Sequence, residues 1–391
     1  MIPRRSRTRK RRKKKKIRLL LSIFLTSIAV AAGGISWWYS AGGKKLAGVE
    51  RTTAVANEVK TEAPVPKPPV VQEEPEIKLV FSGDTMFDWA LRSVVAQKGA
   101  DFPFQYVKPQ IESADYAFVN LETSFTTRNQ RVPGQQFWIK SDPATITAIK
   151  NTGYDIVSLG NNHSLDYGRE GLLDSIANVE GAGLQYVGVG RNAAEAYTAK
   201  EVTIKGKKIK FLSFVRFMPF ASWTATDTTP GVAGGYDLNV VTNTIKEQKG
   251  DADYLIVYMH WGVERTNTPA AYQKEYVAKM TEAGANAIVG SHSHWLQGFE
   301  YYNGVPVAYS LGNFLFPDYV KGHSAETGVL TLTFKGKDIK MSFSPYVIRG
   351  NQIQPIDGQE KAAMYQYLQS ISYDVEITGD GNIVNKRTAT Q

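Results

Sequence analysis

"AIVGSHSHW", residues 287–295, is a short apolar run that ends in two histidines one residue apart. A brief apolar run closed by polar residues reads as a buried strand. The pattern recurs along the chain: IKLVFS, YAFVNL, YDIVSL, LQYVGVG, IKFLSF, YLIVYM, NAIVG and VPVAYSL are the expected strands. Several are nearly continuous in Val, Ile and Leu, as expected of strands buried on both faces. Between them, PATITAIKNTG, REGLLDSIANVEGAG and AAYQKEYVAKMTEAGA carry helical spacing and reach glycine at or near their ends. Strands alternating with helices predict an α/β core with much parallel pairing.

The residues just past each strand are more informative than the strands themselves. IKLVFS runs into Gly83-Asp84, and AFVNL holds Asn120 and meets Glu122. DIVSL leads to Asn161-Asn162-His163, LIVYM to His260 and then Glu264, AIVG to His292 and His294, and VAYSL to Asn313. In open α/β sheets the ligand crevice lies beyond the carboxyl ends of the strands. Singly, Asp84 reads as a turn or helix cap, Asn161-Asn162 as a turn, and His260 as a bonded core histidine. Together they place carboxylates, amides and imidazoles at one edge, with four of the five histidines among them. The fifth, His323, lies in the polar loop DYVKGHSAETG and is read as structural or substrate-facing.

The chain has no cysteine, which excludes a thiol-ligated metal and a Cys nucleophile. Carboxylate, imidazole and amide groups suit one or two divalent cations such as Mn²⁺, Zn²⁺ or Fe. Two such ions about 3.5–4 Å apart can clamp a phosphoryl oxygen.

The net charge of +9 suggests a nucleic-acid partner, but its distribution excludes one. Residues 1–18 hold 12 Lys/Arg and no acid; 46 minus those 12 leaves 34 basic residues against 37 acidic. This cytoplasmic tail abuts Leu19 to Trp38, 20 uncharged residues, enough to cross a hydrocarbon core of ~30 Å. The basic flank and the Trp37, Trp38 and Tyr39 belt predict an uncleaved single-pass anchor over 19–39. A cleaved signal peptide is the rival, disfavoured by the length of the run and by bulky Tyr39 near any cleavage point. The N-terminus is then cytoplasmic and the main domain extracellular. Residues 40–76 include the Pro-rich TEAPVPKPPVVQEEPE and read as a spacer. A domain over 77–350 comes next, with 351–391 as a C-terminal extension holding one short helix.

The series "FSGDTM", "VNLETSF", "LGNNHSLDYG", "MHWGVE", "VGSHSH" and "YSLGNF" resembles the CapA/PgsA family. These are poly-γ-glutamate (capsule) biosynthesis proteins of the calcineurin-like metallophosphoesterase superfamily. The likeness runs from Ile77 to Ile348. It implies an αββα sandwich of two mixed sheets flanked by helices. It further implies that Asp84 and His294 hold a first metal, that Asn162, His260 and His292 hold a second, and that Glu122 bridges them. His163 would contact the substrate or protonate a leaving group, oriented by Asp166. Asn120, Asn161, Glu264, Gln297 and Asn313 are further candidates for contacts to substrate or to the ligands. Two departures stand out. The superfamily pattern begins Asp-x-His, whereas Asp84 is followed by Thr85 and Met86, and methionine is a poor ligand for a hard cation. The bridging carboxylate is Glu122 where Asp is usual. The first metal is therefore one protein ligand short.

The resemblance implies a membrane-anchored component of poly-γ-glutamate synthesis or export, working with membrane-bound synthase subunits on a polyanionic polymer. Two alternatives stay open: a metal-dependent phosphoesterase or other hydrolase acting on a cell-envelope substrate, and a non-catalytic polymer-binding assembly module.

Overall fold

A computed structural model describes residues 74–388. The anchor expected at 19–39 lies outside the described residues, and among those described no helix is long and apolar enough to cross a membrane.

Two mixed sheets form the body. The ten-stranded sheet is centred on Ile77–Thr85. To one side, Tyr116–Leu121, Ile156–Ser158 and Gln185–Val187 lie in parallel succession. To the other, the antiparallel hairpin Glu326–Lys335 and Asp338–Arg349 completes the centre. The six-stranded sheet sets Lys207–Val215, Tyr254–His260, Ala287–Ser291 and Val305–Leu311 side by side in parallel, with antiparallel strands Lys200–Ile204 and Leu296–Tyr302 at its edges.

Because side chains alternate along a strand, each sheet has two apolar faces to cover. Phe81 and Phe118 of the larger sheet face Phe211 and Tyr258 of the smaller, the Phe118 and Tyr258 rings stacking at 4.7 Å. Their neighbours Val80, Val119 and Val157 point the other way and are covered by Ile149, Leu172, Ile176 and Val179 from helices Ile146–Thr152 and Gly168–Gly181. On the smaller sheet, Leu212, Val257 and Met259 meet Val241, Ile245, Val277 and Met280 from helices Leu238–Lys249 and Ala271–Ala283. The molecule is thus mixed α/β, with two mixed sheets face to face and helices on both outer sides.

The segment after Gly350 joins this body. Gln352–Pro355 pairs with Asp338–Arg349, and Val375–Ile377 and Asn382–Asn385 lengthen the same sheet. Helix Gly358–Ile371 puts Met364, Tyr365 and Leu368 into the core between the sheets.

Parallel pairing is what positions the site. Every parallel strand of each sheet ends at the same edge, so the polar residues beyond them are delivered together. Asp84 lies opposite Asn120, and His260 opposite Ser291.

Candidate metal centre

Two groups of buried side chains share one carboxylate. Glu122, His260 and His292 form one, and Asp84, Glu122 and His294 the other; within each group, one ligand atom per residue lies within 4.8 Å of the rest. Glu122 is fully buried, and neither of its carboxylate oxygens has a hydrogen-bond partner. Oε1 lies 3.7 Å from His260 Nε2, and Oε2 lies 3.8 Å from His294 Nδ1.

The second group is drawn together at His260. Its Nε2 lies 2.6 Å from Asn162 Oδ1 and 3.1 Å from His292 Nδ1. Ser291 Oγ meets the other ring nitrogen at 3.0 Å and sets the orientation of the ring. His292 Nε2 is buried without a partner, while Phe217 stacks on the ring at 4.4 Å. In the first group, Asp84 accepts from Asn120 Nδ2 at 2.7 Å and from the His292 backbone N–H at 3.1 Å. His294 Nδ1 lies 3.6 Å from Asp84 Oδ2. His292 and His294 have φ of 93° and 57°, a left-handed backbone that costs a non-glycine residue about 1–3 kcal/mol and recurs at functional sites. In this conformation the His292 N–H points at Asp84 while both rings reach the carboxylates.

The electrostatics are set by burial. Desolvation, reinforced by Asp84, Glu264 and Asp166, pushes the Glu122 carboxyl well above the usual carboxylate range. Desolvation raises Asp84 as well, with His294 and the bond from Asn120 opposing it. Burial and the neighbouring imidazoles hold His260 and His292 well below the ordinary histidine value, so both rings are neutral. Neutral imidazoles and carboxylates with unused lone pairs are what a divalent cation needs. The orphaned oxygens of Glu122 and the orphaned Nε2 of His292 therefore fit a metal, and these residues could hold one.

His163 and Asp166 stand beside this cluster. His163 Nδ1 meets Asp166 Oδ2 at 2.8 Å. Asp166 is fully buried and also accepts from Gln135 Nε2 and from the Ile139 N–H, at 2.8 and 2.6 Å. With those bonds made, its carboxylate holds the His163 ring in one tautomer.

The remaining candidates divide by what they touch. Asn120 ties Asp84 to Asn161, and Asn161 donates to Leu121 O at 2.7 Å and accepts from the His163 N–H at 3.0 Å. Both therefore brace the ends of neighbouring strands. Asn313 Oδ1 meets His294 Nδ1 at 2.8 Å. Gln297 is held by Gln273 and Thr266, outside the cluster. Glu264 is exposed at the rim and acts on Glu122 only through its charge. Sequence reasoning misses Ser291, Phe217 and Gln135. Ser291 immediately precedes the His-x-His stretch and could be found there. Phe217 and Gln135 lie in loops distant in sequence from the residues they support, with no pattern to mark them.

Comparison with known proteins identifies the family. Residues 78–318 match the family described as bacterial capsule synthesis protein PGA_cap. The chain is similar to PGA biosynthesis protein CapA of Bacillus subtilis, 33% identical over 240 residues, covering 60% of this chain and 62% of the relative. It is also similar to capsule biosynthesis protein CapA of Bacillus anthracis, 31% identical over 274 residues, covering 68% of this chain and 64% of the relative. It thus spans a little under two thirds of the length of these relatives. Among solved structures, 5'-nucleotidase from Candida albicans aligns with a TM-score of 0.41 at 14% identity, over 78% of this chain and 55% of that one. With a family match that spans both ligand groups, from Asp84 to His294, the chain belongs to the bacterial capsule synthesis protein family PGA_cap.

Proposed function

We propose that this protein is a membrane-anchored, outward-facing component of poly-γ-glutamate capsule synthesis or export that carries a hydrolytic centre for two divalent ions. The observation that carries the reading is Glu122: a fully buried carboxylate, both oxygens without partners, standing between two sets of metal-type ligands. Burying an unpartnered carboxylate costs several kcal/mol, which a purely structural module has no reason to keep. The names of the relatives, PGA biosynthesis protein and capsule biosynthesis protein, support the polymer context. The basic tail and apolar run before the domain support an anchor at the membrane surface that assembles with membrane-bound synthase subunits around a polyanionic polymer.

Asp84, Glu122 and His294 would hold one ion, and Asn162, His260, His292 and Glu122 the other. Such ions supply Lewis acidity toward an ester oxygen and an acidified water. The chain's own contribution to chemistry is the His163–Asp166 pair. Asp166 accepts from Nδ1–H, so Nε2 is the nitrogen left to exchange a proton with the substrate. The neutral ring would take one there, and the imidazolium so formed, stabilised by Asp166, would give it to a leaving oxygen. His163 is only 8% exposed, which keeps bulk water from competing for that proton.

Two measurements test the reading. Deleting the protein in its host should remove the surface polymer under conditions that normally produce it, and unchanged polymer sinks the capsule assignment. Purified protein with Mn²⁺ or Zn²⁺ should cleave a model phosphodiester, and His163→Ala should lower kcat by about 10²–10⁴-fold with metal content unchanged. Metal bound at stoichiometry without turnover, and full complementation by His163→Ala, would instead favour a non-catalytic assembly module.

A further inference from the structure

The first ligand group lacks an imidazole two residues after its aspartate, and the structure shows why that position cannot supply one. Met86 is fully buried in the core outside the larger sheet, and its sulfur accepts from the Asp88 N–H at 3.1 Å. It turns away from Asp84 altogether. The flank of Asp84 is filled instead by a short strand, Asn313–Leu315, which pairs in parallel with Ile77–Thr85 and sets Asn313 directly opposite Asp84. Backbone bonds from Asp84 N to Gly312 O at 2.9 Å and from Met86 N to Leu315 O at 3.1 Å lock that register.

Asn313 is 1% exposed. Its Nδ2 donates to Ser324 O at 2.9 Å, and Ser324 is itself held by Trp295 Nε1, which donates to its hydroxyl at 2.9 Å. The amide cannot turn over without losing the first bond, so Oδ1 is the atom presented to His294 Nδ1 at 2.8 Å. That same nitrogen lies 3.6 Å from Asp84 Oδ2 and 3.8 Å from Glu122 Oε2. A carboxamide oxygen thus stands against the imidazole nitrogen nearest both carboxylates.

Resting on the metal reading above, we propose that Asn313 is the fourth protein ligand of the first metal, its amide oxygen replacing the imidazole that the Asp-x-His pattern would place after Asp84. The compensation comes from the adjacent strand because parallel pairing brings its end to the same edge. The chemistry also changes. Three oxygens and one nitrogen favour a hard cation such as Mn²⁺ over Zn²⁺ more than a site with two imidazoles does. The two ions would then differ in kind, the second site with its two histidines being the better zinc site.

The experiment uses the full chain, wild type, Asn313→Ala and Asn313→His, each checked for folding by circular dichroism. Manganese and zinc are titrated against each, and Mn²⁺ electron paramagnetic resonance distinguishes a coupled ion pair from an isolated ion. Wild type should bind two ions and give the coupled signal. Asn313→Ala should weaken binding of the first ion by more than the about 10–100-fold that accompanies loss of a residue merely supporting a ligand. It should keep the other ion at wild-type affinity and give the isolated signal. Asn313→His should keep two ions and shift the first site toward zinc by about tenfold or more, the order expected of an imidazole in place of an oxygen. Asn313→Ala keeping the wild-type ion complement within 100-fold, or Asn313→His with unchanged metal preference, overturns this inference alone. A wild-type protein that binds neither metal overturns the metal reading and this inference together.

Discussion

Glu122 shows what a buried carboxylate without a donor costs a fold. Its two oxygens have no donor from the protein, only the neighbouring Asp84 carboxyl, and its own carboxyl is held well above the usual range by burial and by Asp84, Glu264 and Asp166. A buried polar group without a donor costs its desolvation, a penalty that an apolar side chain of similar size does not carry. We expect Glu122→Met to raise the stability of the metal-free protein by about 1–3 kcal/mol, the desolvation penalty of an unsatisfied buried group. The same substitution should abolish the rise in melting temperature that Mn²⁺ gives the wild type. A Glu122→Met variant that melts lower than wild type without metal would show that the carboxylate has a structural partner after all. Asp84, Glu122, His260, His292 and His294 are all legible in the sequence, because each ends or succeeds an apolar run and is of a ligand-forming type. Phe217 is not legible: nothing local marks a loop phenylalanine as the ring that covers His292.

At the scale of elements, the site depends on how closely strand ends approach. A Cβ added at Gly83 would lie 2.1 Å from Gly312 O and 2.9 Å from Leu311 O, both backbone atoms that cannot swing aside. Gly83→Ala should therefore part Ile77–Thr85 from Asn313–Leu315 and separate Asp84 from Asn313. Overpacking of this kind costs about 1–3 kcal/mol and sometimes more. A fall of that size in urea-unfolding stability, with loss of one bound ion, is the expected result; retention of both would show the strands have room to move. Of the elements, the parallel strands of both sheets are marked in the sequence by continuous Val, Ile and Leu. The hairpin Glu326–Lys335 and Asp338–Arg349 carries no such mark. Its alternating segments LTLTF and KMSFS are amphipathic and bring no polar residue to the site edge, so nothing in them points to chemistry.

For the whole molecule, the question is what holds two sheets in register so that two half-sites meet. The aromatic layer of Phe81, Phe118, Phe211 and Tyr258 supplies the area. At the strand ends remote from the candidate metal centre, Asp115, just before Tyr116–Leu121 of the larger sheet, accepts from the Lys78 N–H at 2.8 Å and from Lys205 Nζ, just after Lys200–Ile204 of the smaller sheet, at 2.7 Å. Partial burial works to raise the Asp115 carboxyl, but Lys205 and Lys78 outweigh it and hold it below the ordinary range. A depressed carboxylate contributes stability that is present above its unfolded pKa and is lost as pH falls through the folded one. Asp115→Asn should thus destabilise by no more than about 1 kcal/mol at neutral pH, as for a half-exposed pair. The difference from wild type should begin to shrink as pH falls through about 4, the ordinary aspartate value, and vanish only below the depressed folded-state value. A difference that persists or grows in acid would mean the contact is not ionic.

By itself the sequence determined which residue types stand at the strand ends, and hence the α/β class, the family and the ligand inventory, because buried strands are written as local apolar runs. It also determined that one expected ligand is missing, since Met86 stands in its place. The resemblance implied how those residues divide around Glu122; only the tertiary structure shows that they meet, with one ligand atom per residue within 4.8 Å of the rest in each group. Grouping depends on which strands lie side by side, and that is a property of pairing across hundreds of residues. The structure likewise decided that Asn313, from a strand more than two hundred residues later, stands beside Asp84. No local pattern encodes that neighbour; the register of a parallel sheet does.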